Sequence, residues 1–474
     1  MQINKEQISI LIDDVFAELE KDHADTKEAL FPLPELDSWL FNDMNDAVRV
    51  AKMAQKQLLE MSLEKRNAII SSMRAAAKEN AEMLATVAYN ETGYGRIQDK
   101  IQKNILAAEK TPGTEDLNPL AFSGDYGLAL VENAPYGVIG SVIPSTNPTS
   151  TVINNAISMI AAGNAVVFSP HPFAKLCSQE AMRIMNEAIV KAGGPRYLIT
   201  TVKDPSIDTG KIMMEHNDIP LLSVTGGEEI VRVALRTGKK VVAAGPGNPP
   251  VIVDETANIS QAAKDIVDGA SFENNILCVA EKEVFAVESI FDQLVRDMQK
   301  NGAYLIEGND IQKVLDTVLR KKEGRYVISR KFVGRPAQEI LRESGVYFSG
   351  EPRLIIAEVE KDHPFVMVEM LMPVLPMVRV QNIKEAIFEA LKAERGCQHS
   401  AMIHSTNIKN MSAAAKAMNT TIFVKNAPSY SGLGFMGEGY ATLTIATPTG
   451  EGLTSARTFT RSRRCVLHGD FRII

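Results

Sequence analysis

One thiol in this chain of 474 residues stands where chemistry could be done. Cys278 lies in the stretch SFENNILCVAE, residues 271–281, between a helix-patterned segment (259–269) and a strand-patterned run (283–287). A thiol at a turn between two elements can be exposed and still held in place. Its neighbours Glu273, Asn274 and Asn275 are polar, which predicts a solvated turn, a poor setting for a structural core cysteine. The chemistry that fits is a thiolate attacking an electrophilic carbon.

The elements that must hold such a nucleophile follow from the pattern around it. Strand signatures at 138–143, 165–168, 197–201, 220–224 and 240–243 alternate with helical ones at 149–162 and 174–191, which predicts a doubly wound parallel sheet. Ligands bind beyond the carboxyl ends of such strands. Three of those ends are informative. IPSTNP, Ile143 to Pro148, offers the Asn147 amide between Pro144 and Pro148, and FSPH carries Ser169 and His171. In the third, Thr225, Gly226 and Gly227 lead from a strand into a helix whose free amides could meet a pyrophosphate. The formal GxGxxG at 432–437 is followed by strand-like residues instead of a helix, so a loop closing over the site is expected there.

Before this region, residues 43–108 read as helices interrupted at 92–95. After it, a second α/β region runs from Pro250 to about Asn426. The tail contains ATLTIAT and RCVLHGDFRII, which read as strands able to pair with another segment or another subunit. Residues 8–19 place Ile8, Leu11, Ile12, Val15, Phe16 and Leu19 on one helical stripe, followed by a charged, proline-containing linker. That helix either packs on its own domain or docks into a partner's groove.

A net charge of -7 argues against a surface built for nucleic acid or anionic lipid. The one basic cluster, Arg457, Arg461, Arg463 and Arg464, reads as a solvated or interfacial patch. Four widely spaced cysteines suggest neither a zinc site nor a disulfide framework, and they suit a reducing cytoplasm. His399 and His404 read as structural rather than as metal ligands, so no metal is expected. No export signal or membrane-spanning run is expected either.

The segments PSTNPT, VTGGEE, AAGPGNPPVIVD, SFENNILCVAEK, EMLMPVLP and GEGLTSARTFTRSRRCVL follow one another in the order they hold in the aldehyde dehydrogenase superfamily. From the linker onward the chain resembles that family, and within it the coenzyme-A-acylating branch that works on propionaldehyde or acetaldehyde inside bacterial microcompartments. The resemblance implies an α/β, aldehyde dehydrogenase-like fold. Its parts would be a Rossmann-like NAD domain (36–122 and 137–247), an α/β catalytic domain (248–428) and a small β oligomerisation arm (123–136 and 440–474). A targeting helix (1–20) and linker (21–35) would precede them and reach a microcompartment shell protein, and the enzyme would be a homo-oligomer.

The resemblance also implies roles. Cys278 would be the nucleophile, with Asn147 and the Cys278 backbone amide as the oxyanion hole. Ile143, Pro144, Ser169, Thr225, Gly226 and Gly227 would line the NAD site, and Glu369 would hold the nicotinamide ribose. Water-using relatives carry a glutamate where this chain has Ala243 or Ala244. A thiol acceptor, coenzyme A, fits its absence better than water does. Ser169 replaces a lysine found in many relatives, which leaves NAD against NADP open, and the spacing from Pro144 to Asn147 is one residue longer than in the water-using branch. The expected reaction joins a short-chain aldehyde, coenzyme A and NAD to give an acyl-CoA and NADH. A hydrolytic dehydrogenase and a catalytically retired cargo protein of the same fold are the alternatives.

Overall fold

The computed structural model describes residues 39–474, and the expected docking helix and linker fall outside them. A short strand β1 (Leu40–Phe41) leads into four helices, α1 (Met44–Leu59), α2 (Leu63–Glu79), α3 (Ala81–Thr92) and α4 (Ile97–Lys110). Their ends are written locally. The Asp43 carboxylate caps α1 by accepting from the amides of Asn45 and Asp46, the Ser62 hydroxyl caps α2, and α3 stops at Gly93 in a left-handed conformation, within the expected 92–95 break.

After a hairpin, β2 (Leu120–Gly124) and β3 (Gly127–Pro135), the alternating region forms as patterned. It comprises β4 (Val138–Ile143), α5 (Pro148–Ala161), β5 (Ala165–Pro170), α6 (Lys175–Lys191), β6 (Ile199–Val202), α7 (Ile207–Glu215), β7 (Leu221–Thr225), α8 (Glu228–Leu235) and β8 (Lys240–Ala244). β6 starts two residues later than expected because Tyr197 has a positive φ and belongs to the preceding turn. The strands form a parallel sheet in the order β1-β6-β5-β4-β7-β8, nearly all of it buried, as a sheet covered by helices on both faces must be. The order turns back at β4, so a crevice opens beyond the carboxyl ends of β4 and β7.

A second parallel sheet follows. Its strands are β9 (Pro250–Val253), β10 (Glu283–Val287), β11 (Ala303–Ile306), β14 (Leu354–Glu358), β15 (Val374–Val380), β16 (Ser400–His404) and β17 (Ile422–Lys425), with the hairpin β12 (Leu319–Lys322) and β13 (Arg325–Ile328) lying outside it. The order is β11-β14-β15-β10-β9-β16-β17. Helix α9 (Ile259–Ser271) enters the cysteine loop, and β10 leaves it.

The tail departs from expectation in part. ATLTIAT is strand only over β18 (Ile445–Ala446), paired with β19 (Gly452–Leu453), because its threonines are used in a buried hydroxyl network. Thr442 meets Thr454 and Asn154, and Thr444 donates to Asn155 and meets Thr225. In RCVLHGDFRII the strand β20 (Thr460–His468) ends before Gly469, which takes a positive φ. β20 pairs antiparallel with β3 from Thr460 opposite Pro135 to His468 opposite Gly127. With β2 this makes a three-stranded sheet whose outer strand starts at Leu120 and is exposed along its length.

Candidate active site

The turn expected to be solvated is buried. Glu273, Asn274 and Asn275 are all less than 5% exposed, and all three adopt positive φ. Three consecutive residues in this sparsely populated region persist only where their side chains are pinned. The Asn274 amide donates to the carbonyls of Gly95 and Gly334, and the Asn275 amide to those of Ala270 and Glu281. The Glu273 carboxylate accepts from the Arg96 amide and pairs with Lys100 and Lys103 of α4. Burial works against that charge, but the two ammonium groups outweigh it and hold Glu273 below the usual carboxylate range. Polarity here marks internal scaffolding of the loop and not contact with water.

Cys278 itself keeps partial exposure. It sits among groups gathered at the amino ends of four strands of the second sheet: Gly247 before β9, Cys278 and Lys282 before β10, Glu369 before β15 and His399 before β16. A β-carbon on Gly247 would come within 2.8 Å of the His399 ring and 3.0 Å of the Cys278 carbonyl oxygen, so only glycine lets the chain pass between them. The Gly247 backbone also opposes the rise of the Glu369 pKa. Burial pushes the Cys278 thiol up to about 12, and the Glu369 charge adds to the effect. The resting nucleophile is therefore protonated. Lys282 opposes this shift. Its buried ammonium donates to the Asn275 carbonyl (2.8 Å), the Asn275 side-chain oxygen (2.5 Å) and the Leu277 carbonyl (3.0 Å), which clamps the loop beneath the thiol. His399 is held neutral by burial, its pKa pulled down to about 4. Its Nδ1 meets the Ser400 hydroxyl, and its buried Nε2 has no partner among the described residues.

The first sheet faces this cluster with its carboxyl ends. Asn147 follows β4 as the N-cap of α5, and its Oδ1 accepts from Lys103, the lysine that pairs with Glu273 of the cysteine loop. Ile143 and Pro144 form the same strand end. Thr225 ends β7 with its hydroxyl against Thr444, and Gly227 opens α8 with no side-chain cap. A β-carbon on Gly227 would meet nothing within 4 Å, so the uncapped first turn of α8 is open, a cradle that fits a pyrophosphate. Ser169 lies opposite Val142 at the end of the neighbouring β5, buried under α7, where its hydroxyl would meet a β-carbon on Gly210 at 3.2 Å. Glu369 is half-buried beside the thiol, and burial raises its pKa against the pull of Lys282. Ala243 and Ala244 are buried, with Thr449 on the Ala243 amide and Pro448 lying within 2.9 Å of a β-carbon placed on Gly245.

The model of the aldehyde dehydrogenase family matches residues 37–439. The chain belongs to the aldehyde dehydrogenase family. An acetylating acetaldehyde dehydrogenase of Bilophila wadsworthia is 51% identical to this family member over 446 residues, 92% of each chain. A CoA-propanoylating propanal dehydrogenase of Salmonella typhimurium is 46% identical, covering 94% of this chain and 96% of its own. Among solved structures, a propionaldehyde dehydrogenase from the Clostridium phytofermentans fucose utilisation microcompartment superposes with a TM-score of 0.90 at 47% identity, over 92% of this chain and 99% of that one.

Sequence reasoning about this dehydrogenase missed Lys100, Lys103 and Lys282 and read His399 as structural only. A signal for the first two exists. Lys100, Lys103, Asn104 and Ala107 are spaced along one helical stripe and all buried, so α4 carries lysines on its inward face. Lys282 follows the cysteine at a distance that periodicity does not interpret. The GxGxxG at 432–437 does form a loop, its Gly434 and Gly437 carbonyls accepting from Lys110. That loop brings Tyr430, Leu433 and Phe435 beside Lys103, Phe272 and Leu277 in a small, largely apolar pocket. Among the described residues no group of three or more His, Cys, Asp or Glu could hold a metal ion, and no helix is long and apolar enough to cross a membrane.

Proposed function

We infer that this chain is an NAD-dependent, CoA-acylating aldehyde dehydrogenase, converting an aldehyde, coenzyme A and NAD to an acyl-CoA, NADH and a proton. The observation that carries the reading is the pair of buried methyl groups, Ala243 and Ala244, at the place where water-using relatives have a carboxylate. A dry site with no base to activate water protects an enzyme thioester until a thiol arrives. The acylating activities of the Bilophila and Salmonella relatives support the same reading.

In this proposal Cys278 adds to the aldehyde carbon, and the Asn147 amide with the Cys278 backbone N–H receives the developing oxyanion. NAD, when bound, supplies the hydride acceptor. Thr225 to Gly227 would hold its pyrophosphate and Glu369 its nicotinamide ribose, with Ile143 and Pro144 at the neighbouring strand end. The Cys278 thioester is then attacked by the coenzyme A thiol. The unpartnered Nε2 of neutral His399, beside Gly247, is placed to accept that thiol's hydrogen. The substrate would be acetaldehyde or propionaldehyde, the two aldehydes named for the relatives. The test is NADH and acyl-CoA formation with acetaldehyde, propionaldehyde and butyraldehyde, each with and without coenzyme A. Sustained turnover without coenzyme A, yielding free acid, would replace this reading with the hydrolytic one.

We further assign residues 1–20 to docking on a microcompartment shell protein in the cytoplasm, supported by their single apolar stripe and by the microcompartment origin of the Clostridium relative. The exposed β2 edge, with Leu120 and Phe122, supports the three-stranded sheet as an oligomerisation arm. Deleting residues 1–20 would preserve specific activity and abolish co-sedimentation with shells. Unchanged encapsulation would remove the assignment.

A further inference from the structure

We propose that Lys103 is the positioning residue of the oxyanion site, holding the Asn147 amide so that its NH2 group, and not its oxygen, faces the carbon attacked by Cys278. The inference rests on the reading of Asn147 as the oxyanion donor. Its physical basis is the one-sidedness of an ammonium group, which donates and never accepts. Lys103 Nζ lies 2.6 Å from Asn147 Oδ1. An amide facing an ammonium must present its oxygen, which sends its NH2 the other way. That NH2 makes a long contact of 3.3 Å with the Thr146 hydroxyl, so it keeps capacity to donate.

Lys103 is itself held. It is buried, and its second acceptor is the fully buried carboxylate of Glu273, five residues before Cys278 in the same loop. One ammonium therefore ties the turn that carries the oxyanion donor to the loop that carries the nucleophile, two segments that belong to different sheets. Without that ammonium, the Glu273 carboxylate, an acceptor only, would favour the opposite amide orientation.

The groups facing Lys103 are Lys100 and Asp99 on its own helix, Glu273 from the cysteine loop and, at longer range, the Cys278 thiol. Burial pulls the Lys103 pKa down to about 8, with Glu273 opposing. Above that pH the amine carries a lone pair, and the amide orientation is no longer dictated.

The experiment is the NADH burst with acetaldehyde in the absence of coenzyme A, so that ionisation of the acceptor thiol plays no part. Asn147→Ala should slow the burst about 100-fold, the cost of one oxyanion donor. Lys103→Met should slow it comparably. Lys103→Met leaves Glu273 paired with Lys100, and Lys103→Ala, made if the methionine variant fails to fold, should slow the burst to the same extent. Combining Lys103→Met with Asn147→Ala should add nothing further, and NAD affinity by fluorescence quenching should stay unchanged throughout. The ratio of wild-type to Lys103→Arg burst rates should fall as pH rises through about 8, since the guanidinium keeps its proton. A slow Asn147→Ala beside a Lys103→Met at wild-type rate, or multiplicative effects in the combined variant, would overturn the role of Lys103. A wild-type rate for Asn147→Ala would instead overturn the oxyanion reading on which it rests.

Discussion

Lys282→Met separates the two things that lysine does. The pKa of the buried ammonium is pulled down from 10.5 to about 8, a burial cost of about 3 kcal/mol at 1.36 kcal/mol per unit. Against that cost stand three hydrogen bonds to Asn275 and Leu277. Replacing lysine by methionine relieves the cost and leaves the two Asn275 acceptors unpaired, at about 1–3 kcal/mol each, while the Leu277 carbonyl keeps the Ala280 N–H. The two effects largely offset, so the fold loses no more than about 3 kcal/mol and the variant stays folded. The thiol has no such compensation. Lys282 lowers the Cys278 pKa, and without it the thiol moves further above about 12. Each unit is a tenfold loss of thiolate well below the pKa. The second-order rate of iodoacetamide alkylation of Cys278, followed from pH 7 to 10 with the other cysteines mapped by mass spectrometry, should fall on the order of tenfold below pH 8, and the difference should close toward pH 10 as the wild-type Lys282 loses its own proton. An unchanged rate in a protein with a normal urea midpoint would refute the argument that this cation acts on the nucleophile.

Wild-type enzyme without coenzyme A should give one equivalent of NADH per active site and then stop, and steady turnover in water at the coenzyme A rate would contradict this. Cys278→Ala should abolish dehydrogenation and leave NAD affinity by calorimetry intact, because the uncapped start of α8 belongs to another sheet. Glu281, buried and bonded to the Ser429 amide and hydroxyl, has its pKa raised to about 7 by burial. A raised carboxyl contributes stability in full below its unfolded value of about 4.5, and loses it as pH climbs through 7, roughly 3 kcal/mol in all. Urea unfolding of Glu281→Gln should therefore show a flatter change between pH 5 and 8 than wild type. Gly269→Ala adds a good helix former yet should cost several kcal/mol of stability by urea unfolding, since its β-carbon would lie 2.1 Å from the Glu281 carboxylate.

Much of the fold was legible because parallel strands and their helices announce themselves by period. The strands from β4 to β10 lie within two residues of where their patterns put them, and the break at 92–95 is a left-handed glycine. What misled was polarity. FENN looks wet, but Glu273 and Asn274 are spent on Arg96, Lys100 and Gly95, more than 170 residues away, a pairing that no local pattern contains. ATLTIAT looks like a strand for the matching reason: alternate threonines fit a pleat, and here they are spent on a buried hydroxyl network instead. Both errors have one origin. A polar side chain reports that it will find a partner and not whether the partner is water.

The same distinction bears on the choice of acceptor. The rule that ligands gather at carboxyl strand ends points to Asn147, Ser169 and Thr225 on the first sheet, whose β8 ends at the Ala243–Ala244 pair that the resemblance singled out, but Cys278, Glu369 and His399 stand at the amino ends of the second. The reacting carbon must lie where the two edges meet. On the first edge the Ala243 and Ala244 methyls are buried, with Thr449 on the Ala243 amide, and they neither polarise water nor take its proton. On the second edge His399 Nε2, without a partner among the described residues, is held neutral with a pKa near 4. A base that weak gives little help to water, whose proton comes off at about 15.7. It is enough to receive a hydrogen bond from a thiol that already ionises near 8.5. The dryness of one edge and the weakness of the base on the other thus select a thiol as acceptor.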